Sequence, residues 1–111
     1  MSVEESTFHA AADAVLQALA QAIDDALGDR LDVDLQGGIL TIEFDDGRQF
    51  VVNKHAPNRE IWLSSPLSGA WHFACDPAGT WPATRDPAVR LRRLLASELH
   101  TLTGTAVALD G

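Results

Sequence analysis

Asp24 and Asp25 close an amphipathic stretch just ahead of Gly28, and Asp29, Asp32 and Asp34 follow directly. The last turn of a helix carries the negative end of the macrodipole, where an acid costs about 0.3–1 kcal/mol. Helix stability alone would not put a pair of aspartates there. They read either as a solvated acidic face or as a ridge that docks a cationic surface or a metal ion. Upstream, His9 and Asp13 are spaced i, i+4 and can face one ligand, though a lone surface histidine needs no such role. Carboxylates without thiolates suit hard cations such as Fe3+, Mg2+, Ca2+ and Mn2+, and the imidazole of His9 admits Fe2+. Exposed oxygen ligands around an open coordination sphere bind weakly and reversibly, which suits transient handling better than storage.

The second chemical signal is aromatic. Ile61 and Leu63 take the apolar parity of their segment, which puts Trp62 on the opposite face with Glu60 and Ser64. A large aromatic on the water-facing side of a sheet is a candidate partner anchor unless a loop or the C-terminal tail covers it. Asn53 and His72 are expected to share that face. Trp71 and Trp81 read as packing residues. No catalytic machinery is legible: there is no Gly-rich phosphate loop, zinc spacing or nucleophile elbow, and Ser64-Ser65 has no identifiable His–Asp partner. Cys75 is the only cysteine and reads as a structural thiol, unable to form an internal disulfide or hold a cluster alone.

These residues need elements to carry them. Phe8, Ala12, Val15, Leu19, Ala22 and Ala26, widened by Leu16, Ile23 and Leu27, form one helical stripe over residues 4–27. Ser2 and Glu5 fit a capping box and Gly28 a stop. The middle alternates as antiparallel strands over 32–36, 40–44, 49–54, 60–65 and 70–74, with a short edge strand expected at 80–83, where Pro82 restricts pairing. Gly37-Gly38 turns the chain, and Asp46-Gly47 predicts a type I′ hairpin. Asp86 as N-cap and Pro87 at the first helical position start a last helix, with Val89, Leu91, Leu94, Leu95, Leu99 and Leu102 buried and Gly104 ending it. The tail 105–109 can pack back on the body. The expected fold is α+β, a two-layer α–β sandwich with two helices on one face of a five- to six-stranded antiparallel sheet.

Length and charge set the frame. The 111 residues, 46% of them hydrophobic, suffice for a single domain over 1–111 and not for two. The net charge of −8 argues against nucleic acid and anionic membrane as partners and favours a cationic protein or a metal cation. Residues 1–46 hold eleven acids and one base, whereas residues 47–111 hold five acids and seven bases. That asymmetry marks an electrostatic footprint on the first half. The run Arg90, Arg92, Arg93 reads as a solvated helix face. With no basic and apolar leader and no long apolar run, the expected location is the cytoplasm.

The segment Asn53-Lys54-His55-Ala56-Pro57-Asn58-Arg59-Glu60-Ile61-Trp62-Leu63-Ser64-Ser65-Pro66 resembles the signature of the frataxin family, with its N-K-x-x-P-N-x-x-I-W-L-S-S-P pattern. Gly37-Gly38-Ile39-Leu40-Thr41-Ile42 is similar to the family's G-G-V-L-T-I, and Ser68-Gly69 followed by Trp71-His72-Phe73 to the bacterial G-Y-H-F run. Phe8-His9 and Ala12-Asp13 also match bacterial members, so the resemblance covers nearly the whole chain.

The resemblance implies an iron-binding protein of iron–sulfur cluster assembly that is not an enzyme. It implies weak, reversible binding of Fe2+ or Fe3+ on an acidic ridge, here His9, Asp13, Asp24, Asp25 and Asp32, with Asp29 and Asp34 as supporting acids near its end. It implies a cysteine desulfurase and the iron–sulfur scaffold protein as partners, with Asn53 and Trp62, and His72 beside them, at the sheet surface linked to partner contact. A monomer without iron and an iron-dependent regulatory role are expected; a metallochaperone delivering ferrous iron and a ferroxidase are the alternatives. Ala14, Gln17 and Gln21 stand where many members carry acids, so the ridge is thinner along mid-helix.

Overall fold

The computed structural model describes residues 4–109. Helix α1 (Glu5–Leu27) is followed by strands β1 (Asp32–Gln36), β2 (Ile39–Glu43), β3 (Gln49–His55), β4 (Glu60–Ser65) and β5 (Gly69–Ala74), then helix α2 (Leu91–Thr103). The strands form one antiparallel sheet in the order β1-β2-β3-β4-β5, and both helices cover the same face.

Helix α1 buries Phe8, Ala12, Val15, Leu16, Leu19, Ile23 and Leu27. Ala26, expected in the stripe, is exposed because the true centre of the buried face lies toward Leu16 and Ile23. Ser2 of the expected capping box lies outside the described residues; the helix starts after Glu4 in extended backbone. Gly28 ends it with an ordinary right-handed φ of −62°, so its smallness matters rather than its freedom. A side chain there would collide with the carbonyl and carboxylate of Asp24.

The hairpin turn with both centres left-handed falls at Gly37-Gly38, not at Asp46-Gly47 where it is expected. Gly37 and Gly38 have φ of +59° and +79° between paired Gln36 and Ile39, which is the two-residue turn with both centres left-handed. At the next hairpin only Gly47 is left-handed. The Gly47 amide donates to the Phe44 carbonyl (3.0 Å) and the Phe44 amide to the Arg48 carbonyl (2.8 Å). That is a longer turn with a glycine bulge, and it corrects the type I′ expectation at Asp46-Gly47.

The last helix begins at Leu91, more than a turn after Asp86-Pro87. Asp86 instead closes a local turn, accepting from the Ala88 and Val89 amides. Arg90 stays extended because its backbone pairs with Pro82, while the Ala83 amide donates to Val89 and the Leu91 amide to Trp81. Segment 81–83 also bridges to β5 through Phe73 and Ala83, so the expected sixth strand is reduced to isolated bridges. Trp81 adopts φ +51°, unusual for a non-glycine residue and costing about 1–2 kcal/mol. In return its indole is fully buried, edge-on to Phe8 at 6.2 Å. Val107 and Leu109 of the tail complete the core.

Candidate functional site

Two surfaces collect the residues singled out by sequence. The first runs along α1 and onto β1. His9 is half-buried beside Phe8, with its Nε2 4.0 Å from the Glu5 carboxylate. One helical turn on, the Asp13 carboxylate is paired with the Lys54 ammonium at 2.8 Å, so this acid is partly neutralised from β3. Asp24 opens into a groove of about 370 Å3 lined by Gln17, Ala20, Gln21, Val33 and Leu35. Asp25 accepts a 2.8 Å hydrogen bond from the Gln21 amide, which holds this acid in place. Asp29 belongs to a separate depression, with Asp45 and Asp46 around a floor of Leu31, Phe44 and Leu102. Asp32 and Asp34 lie on the outer sheet face, in register with Glu43 and Thr41.

The seven candidates thus form a chain of exposed carboxylates ending at one half-buried imidazole, spread over a helix, a loop and a strand. Among the described residues no three His, Cys, Asp or Glu side chains converge into a group able to hold a metal ion. Hydrated oxygen ligands of this kind can bind a hard cation by rotating toward it, at the cost of side-chain entropy and with little selectivity.

The second surface is the outer face of the sheet. Register places Gln36, Ile39, Asn53, Trp62 and His72 in one row across all five strands. Asn53, Trp62 and His72 are therefore brought together as expected. The Trp62 indole is stacked between two imidazoles, His55 at 3.7 Å and His72 at 4.3 Å, each within 10° of parallel. Its Nε1 donates to Glu60 Oε1 at 2.9 Å, and His72 Nδ1 lies 3.8 Å from the same oxygen. Among the described residues it is the two histidines that cover Trp62, while Val107 and Leu109 of the tail pack in the core. His55 is the residue that strand parity could have added, since it stands two positions from Asn53. Its Nδ1 is buried without a hydrogen-bond partner. Ile39, 47% exposed, extends the row with an apolar contact.

Other chemistry-bearing residues have structural partners. The β4–β5 turn is clamped to α2 by the buried Glu98, whose carboxylate accepts from the Ser65 hydroxyl (2.5 Å) and the Ser68 hydroxyl (2.6 Å). Ser65 also accepts from the Leu67 and Ser68 amides, and Ser68 from the Trp71 indole. Ser64 faces outward and is exposed. Burial and the neighbouring Asp76 push the Cys75 thiol up, away from thiolate reactivity. Burial works to raise the Asp76 carboxyl, but hydrogen bonds from the Thr80 hydroxyl and the Trp81 and Thr80 amides outweigh it and hold it below the usual range. The arginine run divides: Arg92 donates to the Gly79 carbonyl at 2.7 Å, while Arg90 and Arg93 are exposed. Arg85 stacks on Trp71 at 3.7 Å, a cation–π contact. Among the described residues, no helix is long and apolar enough to cross a membrane.

Comparison with known proteins places this arrangement. The family described as the frataxin-like domain matches residues 1–105. An iron-sulfur cluster assembly protein CyaY from Neisseria meningitidis is 38% identical over 106 residues, covering 96% of this chain and 95% of the relative. Its counterpart from Vibrio cholerae is 44% identical over 71 residues, 64% of this chain and 66% of the relative. Among solved structures, frataxin from Psychromonas ingrahamii superposes with a TM-score of 0.85 at 23% identity, covering 98% of this chain and 100% of the other, a likeness of fold. A trimeric frataxin from the yeast Saccharomyces cerevisiae, in a ferrous complex, superposes with a TM-score of 0.68 at 32% identity, covering 95% of this chain and 90% of the other.

Proposed function

The chain belongs to the frataxin-like family, and from that premise we propose that it serves iron–sulfur cluster assembly as an iron-responsive interaction protein. In this reading it regulates the desulfurase and scaffold machinery in the cytoplasm and performs no catalysis of its own. The observation that carries it is the division of labour between two surfaces. An α1–β1 side of exposed carboxylates offers charge without a preformed chelate. The outer sheet face offers a rigid aromatic anchor, Trp62, held by His55, His72 and Glu60.

Each surface suits a different partner. The acidic side attracts a cationic patch, here assigned to the desulfurase, and its exposed carboxylates favour a fast, salt-sensitive association. The stacked indole contributes area at little entropic cost, since its orientation is set before docking, and is assigned to the scaffold. Iron enters as cargo and signal. Fe2+ or Fe3+ bound weakly at His9, Asp13, Asp24, Asp25, Asp29, Asp32 and Asp34 cancels part of the negative field and so changes the attraction for the cationic partner.

The test is a titration of ferrous iron, under anaerobic conditions, into the isotopically labelled chain and into Asp24→Asn/Asp25→Asn. Selective broadening around residues 9–13 and 24–34, weakened in the double variant, is the expected result. Broadening that ignores this region, or is unchanged in the variant, removes the iron role. A desulfurase assay with and without iron then separates regulation from delivery, because delivery alone leaves the rate unchanged.

A further inference from the structure

Among the described residues nothing pairs with the outer edge of β1, the first strand of the sheet, and the chemistry of that edge is specific. The Lys54 amide donates to the Gly38 carbonyl (3.1 Å) and the Phe44 amide to the Arg48 carbonyl (2.8 Å), so even-numbered residues of β2 direct their backbone groups to β3. Successive residues of an antiparallel strand point theirs to opposite sides. Ile39, Thr41 and Glu43 therefore serve β1, where they face Gln36, Asp34 and Asp32. The same alternation leaves the N–H and C=O of Val33 and Leu35 pointing off the sheet. Among the described residues, no loop or turn backbone hydrogen bond involves residues 32–36.

Side chains around this edge alternate in character as well. Val33 and Leu35 are half-buried and line the groove beside α1 with Ala20, Gln17, Gln21 and Asp24. Asp32 and Asp34 point to the outer face. The bases nearest in sequence are engaged elsewhere: Arg30 donates to Thr103 and Thr105, and Arg48 pairs with Asp46. Edge acids usually blunt a strand against self-association. A second copy of this chain would set Asp32 and Asp34 against their own kind, and like charges directly across a ladder repel. A basic strand meets no such penalty.

We propose that the β1 edge binds an extended cationic peptide segment as a sixth, antiparallel strand. Apolar residues of that segment face Val33 and Leu35 in the groove, and alternate Lys or Arg residues face Asp32 and Asp34. This deepens the reading of the α1–β1 side as a docking surface by giving the partner segment a backbone conformation and a residue pattern.

The probe is a short capped peptide alternating lysine with valine, titrated into the labelled full chain. The amide signals of Val33 and Leu35 are expected to shift saturably and gain protection from exchange. Methylating the valine backbone nitrogens leaves charge intact but removes the donors to the edge, and weakens binding by at least about tenfold. Replacing lysine by glutamate abolishes binding, as does Val33→Pro in the protein, whose lost N–H takes no part in the β2 ladder. Equal binding of the methylated peptide on the same carboxylates overturns strand addition while leaving electrostatic docking intact. Shifts centred on Trp62 and Asn53 also overturn it. No response to either peptide removes both readings.

Discussion

The Lys54 ammonium lies 2.8 Å from the Asp13 carboxylate, so the lysine of the central N-K-x-x-P-N segment neutralises an acid on the opposite layer. The pair is partly exposed, at 23% and 50% for the two side chains, and contributes at most about 1 kcal/mol. Lys54→Gln is therefore expected to lower stability only slightly while freeing Asp13 for cations. Paramagnetic broadening by Mn2+ around residues 9–13 should then appear at lower metal concentration than in the parent. If the metal dependence at these residues is the same in both proteins, the pair does not control access to Asp13.

The acids at the end of α1 should carry a stability cost. Asp24 and Asp25 meet the negative pole of the helix, and no base stands in its last turn. Asp24→Asn/Asp25→Asn is expected to raise the unfolding free energy by about 0.5–1.5 kcal/mol even as it weakens cation binding. Denaturant titration at low ionic strength checks this, and a gain that shrinks with added salt identifies the helix pole as its source. A loss of stability would show that the charge on Asp25, which strengthens its hydrogen bond from Gln21, outweighs the dipole.

Glu98 is expected to be the most sensitive polar residue. The residue is 9% exposed, and its carboxylate satisfies two serine hydroxyls that in turn hold the β4–β5 turn. Glu98→Ala strands those hydroxyls and should cost about 2–4 kcal/mol, with Glu98→Gln intermediate. Equilibrium unfolding measures both. A cost below about 0.5 kcal/mol for the alanine variant would mean that the serines rebond to water.

Asp76 should contribute to acid sensitivity. Its folded-state pKa lies below the usual value of 3.8, so the stabilisation is fully present above that value. It is lost as pH falls from there through the lower folded-state pKa, because the unfolded chain takes up the proton first. The melting temperature of Asp76→Asn is therefore expected to fall below that of the parent at neutral pH, with the gap narrowing under acid. A gap independent of pH would place the effect in the amide's geometry rather than in its lost charge.

Much of the candidate site is legible in the sequence because strand parity is a strict period of two. Once Ile61 and Leu63 face the core, Trp62 must face away, and Asn53 and His72 follow from the same alternation in neighbouring strands. His55 obeys that rule and needed only its extension by one step. The partners that tune the site were not legible. Lys54 reaches Asp13 across 41 positions and Ser65 reaches Glu98 across 33, and no local pattern encodes such distances.

The amphipathic stripe of α1, the alternation of the strands and the clustering of acids in the first half are properties of the chain itself, because each depends on residues a few positions apart. The start of α2 is different. Asp86-Pro87 is a sound local helix start, yet Arg90 is held extended by Pro82 and Val89 by Ala83, so pairing between distant segments overrides propensity. Tertiary structure likewise decided which acids keep their charge uncompensated, which side chains sandwich Trp62 and which strand edge stays open. These depend on what packing brings within a few ångströms, where hydrogen bonding and Coulomb attraction act.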